Sequence, residues 1–571
     1  MHSAAPEEWI EAIASGTLDE QLAHYYGAAE VDTWRAHYLE ALNAFINIYG
    51  VGGKAVIARC PGQMNIMGVH IDYGGMASTR LAVRGVDTLT VARAAANGRV
   101  RMGNILKYAG EESGKFAPIE FDLDAIVPKE NVGTRQAMMD YAGKVCSQRE
   151  AECGSAMAEG WDILVQGQLT FLESYFRERL QLRGLDALVW SNVSPSGGMS
   201  SSSALVISTA IAALGVHGLK PLEDIAEEDL VDGVGTSEWM RGTRGGTADH
   251  GGMVMGRVGK LVSVGVFPAQ SCGQATLPDD YAAVIFDSGV PRVYDEVVKE
   301  ETVIAYPLGT FLVRDILLPQ LQGEPGFENL AVDFKDRITF IRDVEEENLG
   351  VSLAGMYRLL AGIPQQTTLR ALEALARETG AGAAYDTMFR RDVEGKFPNI
   401  NDEYPIFLRR RFVYGITEQD RVARMLEYMS AGAMETALEL ARIAHDGDLD
   451  VEVTDEELQD LRLRAEQGEE RARLCFLPGG YGRMTPEYDR VVRVINEYLL
   501  RQGGPTAGSV QRFGAGWGGN VGGLIRHEFI NGEYAAAFAK VLRDELAIEV
   551  DLEECVAIPG EGACLLNAPG K

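Results

Sequence analysis

No CxxC pair occurs in the chain, and its seven cysteines, at 60, 146, 153, 272, 475, 555 and 564, are scattered and odd in number. Neither a disulfide framework nor a zinc site is expected from that spacing, and a reducing compartment fits it. Positive charge is scarce: 53 Lys and Arg face 83 Asp and Glu, for a net charge of −30. Such a surface repels nucleic acid and anionic membranes. It leaves anionic small substrates open, because they need only a local positive site. No apolar run reaches the length of a membrane span. The N-terminal text "MHSAAPEEWIEAIASGTLDEQ" lacks the basic and apolar regions of a signal peptide. The expectation is a cytoplasmic protein with no nucleic-acid or membrane partner. The common phosphate loop GxxxxGK[ST] is absent, and so is any repeat of 20 to 50 residues. Nothing in the sequence bears on oligomeric state.

What is present is ordinary globular text, 46% hydrophobic and 24% charged over 571 residues. That length suits about two to four domains with sizeable cores. Residues 7 to 49 carry apolar positions at helical spacing, as in "WRAHYLEALNAFINIYG". "KAVIARCPG" reads as a strand ending at Pro61-Gly62. "DTLTVARAA" and "GRVRMGNI" alternate like a hairpin around Asn97-Gly98. Helical text fills 135 to 183, "LDALVWSNV" and "YAAVIFDSGV" are buried strands, and 295 to 475 is largely helical. Strand character returns in "AGSVQRFGAGWGGNVGGLIRHE".

Two stretches carry chemistry. "CPGQMNIMGVHIDYGG", Cys60 to Gly75, gathers His70, Asp72 and Tyr73 behind a half-apolar run. "NVSPSGGMSSSSALVISTAIAAL", Asn192 to Leu214, places glycines and four serines ahead of a helical pattern. Glycines let the backbone pass close to a ligand, and N–H groups at a helix start attract anions. Small hydroxyls beside them suit a polyphosphate and its magnesium ion. A serine-rich helix cap without a ligand accounts for the same text equally well.

Together these stretches resemble the GHMP kinases, and galactokinases in particular. "PGQMNIMGVHIDY" resembles PGRxNLIGEHxDY, "SPSGGMSSSSA" is similar to PxGxGLSSSA, and "FGAGWGGNVGG" is similar to the GxGxGG run. "RGGTADHGGMVMG" looks like the galactokinase stretch ending GIMDQ, "RRRFVYGITEQDRV" resembles RRRxxHVxxExxRV, and "MTPEYDRVV" resembles CPExDxLV. The resemblance runs from about residue 55 to the C-terminus.

The resemblance implies an α+β fold of two domains, a ribosomal-protein-like N-terminal βαβ domain and a ferredoxin-like C-terminal domain, with the active site in the cleft. It implies a helical extension over 1–50, an ATP- and sugar-binding domain over 51–290, and a C-terminal domain over 291–571 with an insertion around 330–405. The implied reaction is magnesium-dependent phosphoryl transfer from ATP to the anomeric hydroxyl of a galactose-type sugar or uronic acid. Ser196, Gly197, Gly198, Ser200, Ser201, Ser202 and Ser203 would bind the nucleotide, with Ser201 and Ser202 on the metal. Val69, His70, Asp72, Tyr73, Gly246, Arg80, Gly516 and Gly518 would face the sugar. Asp249 matches the catalytic aspartate.

Several positions depart from galactokinase. Gln63 replaces the arginine that pairs with that aspartate; Arg59, Arg241 and Arg244 are alternative sources of charge. Val206 replaces a glutamate that helps hold magnesium, leaving serines, phosphates and water. Ser196 stands where a glycine is usual. Val69 replaces the glutamate of GEHxDY, which favours a uronate, a pentose or a 6-deoxy sugar. Arg80, at a proline position, could then meet a uronate carboxylate. Gln63 and Val206 also admit a non-catalytic sugar or nucleotide sensor on the same scaffold, and a third alternative is a kinase of a non-sugar alcohol.

Overall fold

The structure, a computed structural model, describes residues 2–95, 97–107, 116–153, 160–195, 197–242, 245–293, 295–482, 484–513 and 517–570. The chain divides into two compact units. The first comprises residues 1–64, 80–277 and 557–571, and the second 65–79 and 278–556. This differs from a split at 290. The segment holding His70, Asp72 and Tyr73 belongs to the second unit, and the C-terminal residues return to the first.

The first unit is built on a sheet ordered Ser3–Ala4, Ala55–Met67, Ser78–Ala94, Leu185–Ser191, Arg99–Leu106 and Ile119–Asp122. Helices cover both faces, so its strands are apolar on both sides. Successive residues of Leu185–Ser191 alternate between two cores. Ala187 and Val189 pack with the helices Asp162–Phe176 and Ser201–Val216, while Leu188 and Trp190 pack with Trp9, Trp34, Tyr38 and Phe45. Those aromatics come from the helices Pro6–Ala14 and Val31–Tyr49. Residues 1–50 are therefore not a separate extension but one wall of this unit's core. Trp9 also donates its indole N–H to Ala55 O at 3.0 Å.

Two strand expectations are corrected. The strand expected to stop at Pro61-Gly62 continues to Met67. Its pairing with the strand Cys564–Leu565 ends at Arg59, so the missing N–H of Pro61 removes no ladder bond on that side. The strands flanking Asn97-Gly98 do not form a hairpin. Leu185–Ser191 lies between them, antiparallel to Ser78–Ala94 and parallel to Arg99–Leu106. Only a strand apolar on both faces can take that central place.

The second unit has a four-stranded sheet ordered Gly508–Arg512, Asn520–Arg526, Tyr281–Asp287 and Val556–Ala557. The helices Pro486–Gly503 and Ala535–Leu546 pack on it through Ile495, Leu499, Phe538 and Leu542. The remainder is helical. Residues 330–405 form short helices whose Met356, Tyr357, Leu359 and Leu360 are buried in this unit. Among the described residues one helical run, Val297–Leu321, is long and apolar enough to cross a bilayer by length and composition, contrary to the expectation that none is. Of its apolar 18-residue window, 67% is buried within the protein.

Candidate functional site

The candidate residues fall into two groups, one in each unit. In the first unit the strand Leu185–Ser191 leads into the serine loop and the helix Ser201–Val216. Ser200, just before the helix, adopts φ 58°, a left-handed conformation that costs a non-glycine residue about 1 kcal/mol or more. In that conformation its hydroxyl donates to Asp249 Oδ2. Ser201 and Ser202 are half-buried at the helix start, whereas Ser203 points into the core at 4% exposure. Gly197 and Gly198 lie in the loop, Gly198 at φ 72°. Ser196, Arg244 and Gly516 lie outside the described residues.

Asp249 sits in the first turn of the helix Ala248–Met255. The entry to that helix is anchored by Thr247, whose hydroxyl donates to buried Asp232 Oδ1. Asp232 Oδ2 in turn accepts from the backbone N–H groups of Phe267 and Ala269 at 3.0 and 2.7 Å. Gln63 Nε2 donates to Asp249 Oδ1 at 3.1 Å. Arg80 pairs with the same oxygen and donates to Gln63 Oε1 at 2.8 Å. Arg80 is therefore engaged with Asp249, which differs from the expected role opposite a substrate carboxylate. Of the other arginines considered, Arg59 is buried in an ion pair with Asp87 at 3.0 Å, and Arg241 closes the short turn Ser237–Arg241. Gly246 lies in the loop before Asp249, partly exposed.

Val206, which stands where the resemblance places a glutamate, is wholly buried and offers no ligand. Glu238 supplies a carboxylate instead, its Oε2 accepting from Ser202 Oγ at 3.4 Å and its Oε1 facing His250 Nε2 at 2.9 Å. Burial opposes a charged His250, yet Glu238, with Asp249 and Asp232 adding, holds the imidazole above its usual value. The Ser202 hydroxyl and the Glu238 carboxylate are hard oxygen donors of the kind magnesium takes, so these two residues fit that ion. Sequence reasoning missed Glu238, because "TSEWMRG" carries no motif and lies 36 residues from Ser202.

In the second unit, His70 has φ 63°. Its ring stacks on Tyr481, with centroids 4.6 Å apart and planes 8° from parallel. Tyr73 Oη lies 3.1 Å from Tyr481 Oη, and Asp72 Oδ1 accepts from Tyr73 N at 3.1 Å. The backbone of this segment is held from the helix Leu408–Ser430. Tyr414 Oη donates to Val69 O at 3.1 Å, and Gly68 N donates to Glu418 Oε1 at 2.9 Å. Tyr414, Glu418 and Arg421, at i, i+4 and i+7, share one face of that helix, and Arg421 pairs with Glu418 at 2.6 Å. Behind them Asp448 pairs with Arg512, both buried, and burial pushes the Asp448 carboxyl up to about 8 against the pull of Arg512. Val69 is 5% exposed. Gly518, at φ 126°, lies against the carbonyls of Val290 and Pro291; a Cβ there would come within 2.6 Å of both. This close packing by itself requires glycine.

Residues 165–257 match the model of the GHMP kinases N terminal domain. The fold matches that of Lactococcus lactis galactokinase complexed with galactose, with a TM-score of 0.55 over 91% of this chain and 97% of that one, at 16% identity. This chain has the GHMP kinase fold. The α+β class read from the motifs holds. In sequence the chain is 25% identical to a galactokinase of Candida parapsilosis over 230 residues, 40% of this chain and 39% of the relative. It is 27% identical to a galactokinase of Schizosaccharomyces pombe over 230 residues, 40% of each. These matches thus span about two-fifths of the relatives' length. The GHMP kinase match includes the serine loop and Asp249, and ends two residues past the helix that carries Asp249.

Proposed function

We propose that this chain is an ATP-dependent sugar kinase that phosphorylates the anomeric hydroxyl of a galactose-type sugar. The observation that carries this reading is the donor set on Asp249. A carboxylate has about four lone-pair sites; Ser200, Gln63 and Arg80 occupy three, and the side chain is 35% exposed. The remaining site suits a substrate hydroxyl. Asp249 accepts that hydroxyl's hydrogen bond and then its proton, as the sugar oxygen bonds to the γ-phosphorus and the bond to the bridging oxygen breaks, releasing ADP. The N-terminus of the helix Ser201–Val216 and the Gly197–Gly198 turn suit the phosphates. Magnesium, when bound, neutralises phosphate charge; Ser201, Ser202 and Glu238 are the residues that would hold it. His70, Asp72 and Tyr73 are assigned to sugar hydroxyls.

The hydroxyls of the serine loop give one prediction. Ser201→Ala and Ser202→Ala should each weaken use of ATP or magnesium by about 1–3 kcal/mol, the range for a lost hydrogen bond to a charged group. Unaltered apparent constants for both in both variants would remove the loop from the nucleotide site.

Substrate choice is tested by coupled ADP release over hexoses, pentoses and uronic acids. Arg80 is committed to Asp249, which takes away the cation considered for a uronate. Val69 cannot accept from a 6-hydroxyl, and an unpaired buried hydroxyl costs about 1–3 kcal/mol. The expected order of kcat/KM therefore places arabinose and 6-deoxygalactose at or above galactose, with galacturonate below all three. Galacturonate in first place would overturn this assignment of Val69 and Arg80. Tight sugar binding without ADP release from any member would favour the sensor reading.

A further inference from the structure

Arg80 lies on the strand Ser78–Ala94, next in the sheet to the strand Ala55–Met67 that carries Gln63. Its side chain is only 6% exposed. Gly252, one turn beyond Asp249 on the same helix, lies against it. A Cβ at position 252 would sit 3.0 Å from Arg80 Cδ, 3.2 Å from Arg80 Cβ and 3.6 Å from Gln63 Cβ. The helix bearing Asp249 thus packs closely on Arg80, and a glycine gives the space for it.

We infer that Arg80 is the positioning residue for Asp249, supplying from the neighbouring strand the positive charge that position 63 lacks, and that Gln63 and Arg80 work as a matched pair. The inference rests on the kinase reading above. Its physical core is the direction of the hydrogen bonds. Gln63 Oε1 accepts from Arg80 while Gln63 Nε2 donates to Asp249 and, at 3.4 Å, to Ser200. An amide can do both at once. A guanidinium at position 63 has no acceptor to offer Arg80 and would set two cations side by side. The neutral residue at 63 is therefore the complement of a charge at 80 and not a sign of lost activity. Arg80 fixes which face of the carboxylate meets the hydroxyl and keeps a positive charge beside the proton acceptor as the sugar oxygen becomes nucleophilic.

The test is a charge swap between the two strands, in the full chain, with the best substrate from the panel. Arg80→Gln should lower kcat by about 10²-fold, with KM for ATP and sugar within about threefold, because the interaction matters to the reacting geometry and not to ground-state binding. Arg80→Lys should recover part of the loss, since it keeps the charge without the planar fork. Gln63→Arg alone should lower kcat by about tenfold or more. The double variant Gln63→Arg/Arg80→Gln should return to within about tenfold of wild type in kcat, with KM for ATP and sugar unmoved in every variant, a split that a purely structural role for Arg80 would not produce. An active wild type whose Arg80→Gln variant keeps kcat within about threefold would overturn the inference alone, and so would a double variant no better than Arg80→Gln. A wild type inert over the whole panel would overturn the kinase reading itself, and this inference with it.

Discussion

Replacing Asp249 by Asn is expected to lower kcat by roughly 10²-fold or more while sugar affinity stays within about tenfold. Asparagine keeps the shape, and its amide oxygen still accepts from Gln63 or Arg80. It cannot take the proton of the attacking hydroxyl, and its NH₂ must face one of the present donors, Ser200, Gln63 or Arg80. Single-turnover measurement with saturating ATP separates this from a binding defect, because only the chemical step should slow. A variant that turns over at the wild-type rate would show that the proton leaves by another route. That result would also detach Arg80 from catalysis, since its place in the reaction runs through Asp249.

The second large effect concerns stability. Above about pH 8, where Asp448 is ionised, Arg512→Met should destabilise the protein by about 3–5 kcal/mol, the range for removing one partner of a buried ion pair. Arg512 and Asp448 are at most 2% exposed in their side chains. The guanidinium also lies over the Tyr481 ring at 4.7 Å and donates to Tyr414 Oη at 3.1 Å. Loss of the cation leaves a buried carboxyl whose remaining remedy is to hold a proton. The pH dependence follows from that. Burial raises the Asp448 carboxyl from 3.8 to about 8. The native state therefore keeps a proton that the unfolded chain releases, and this group's contribution to stability falls as pH rises between those two values. Without Arg512 the carboxyl should rise further, so the difference between variant and wild type should be flat below about pH 7 and deepen above about pH 8, where only the wild-type carboxyl gives up its proton. Urea unfolding from about pH 6 to about pH 10 checks both points, and a difference that stays flat above about pH 8 would show that the pair does not carry charge as described. Because Tyr414 and Tyr481 also hold Val69 and His70, the same variant should loosen sugar recognition.

The sequence by itself determined the motifs and most of the elements that bear them. Ser200 to Ser203 at a helix start, Asp249 among glycines and His70-Ile71-Asp72-Tyr73 after a strand are adjacent in the chain, so local pattern and turn chemistry suffice to read them. The buried strands Leu185–Ser191 and Tyr281–Asp287 and the long helix Leu408–Ser430 were legible for the same reason. Tertiary structure alone decided what those elements meet. Periodicity says that a residue faces inward and not which inward-facing residue it meets. Leu185–Ser191 was readable as a buried strand, but its insertion between two strands that look like a hairpin depends on helices packing on both sheet faces. The N-terminal helices were readable as amphipathic, and only the sheet shows that Trp9 and Tyr38 complete its core. Gln63 looked like a missing charge because its complement, Arg80, lies 17 residues along on the next strand, and Asp249 lies a further 169 away. Glu238 is invisible for the same reason, 36 residues from the hydroxyl it accepts from. Side-chain charges and hydrogen bonds act over a few ångströms in space, and the fold alone sets which distant residues come within that range.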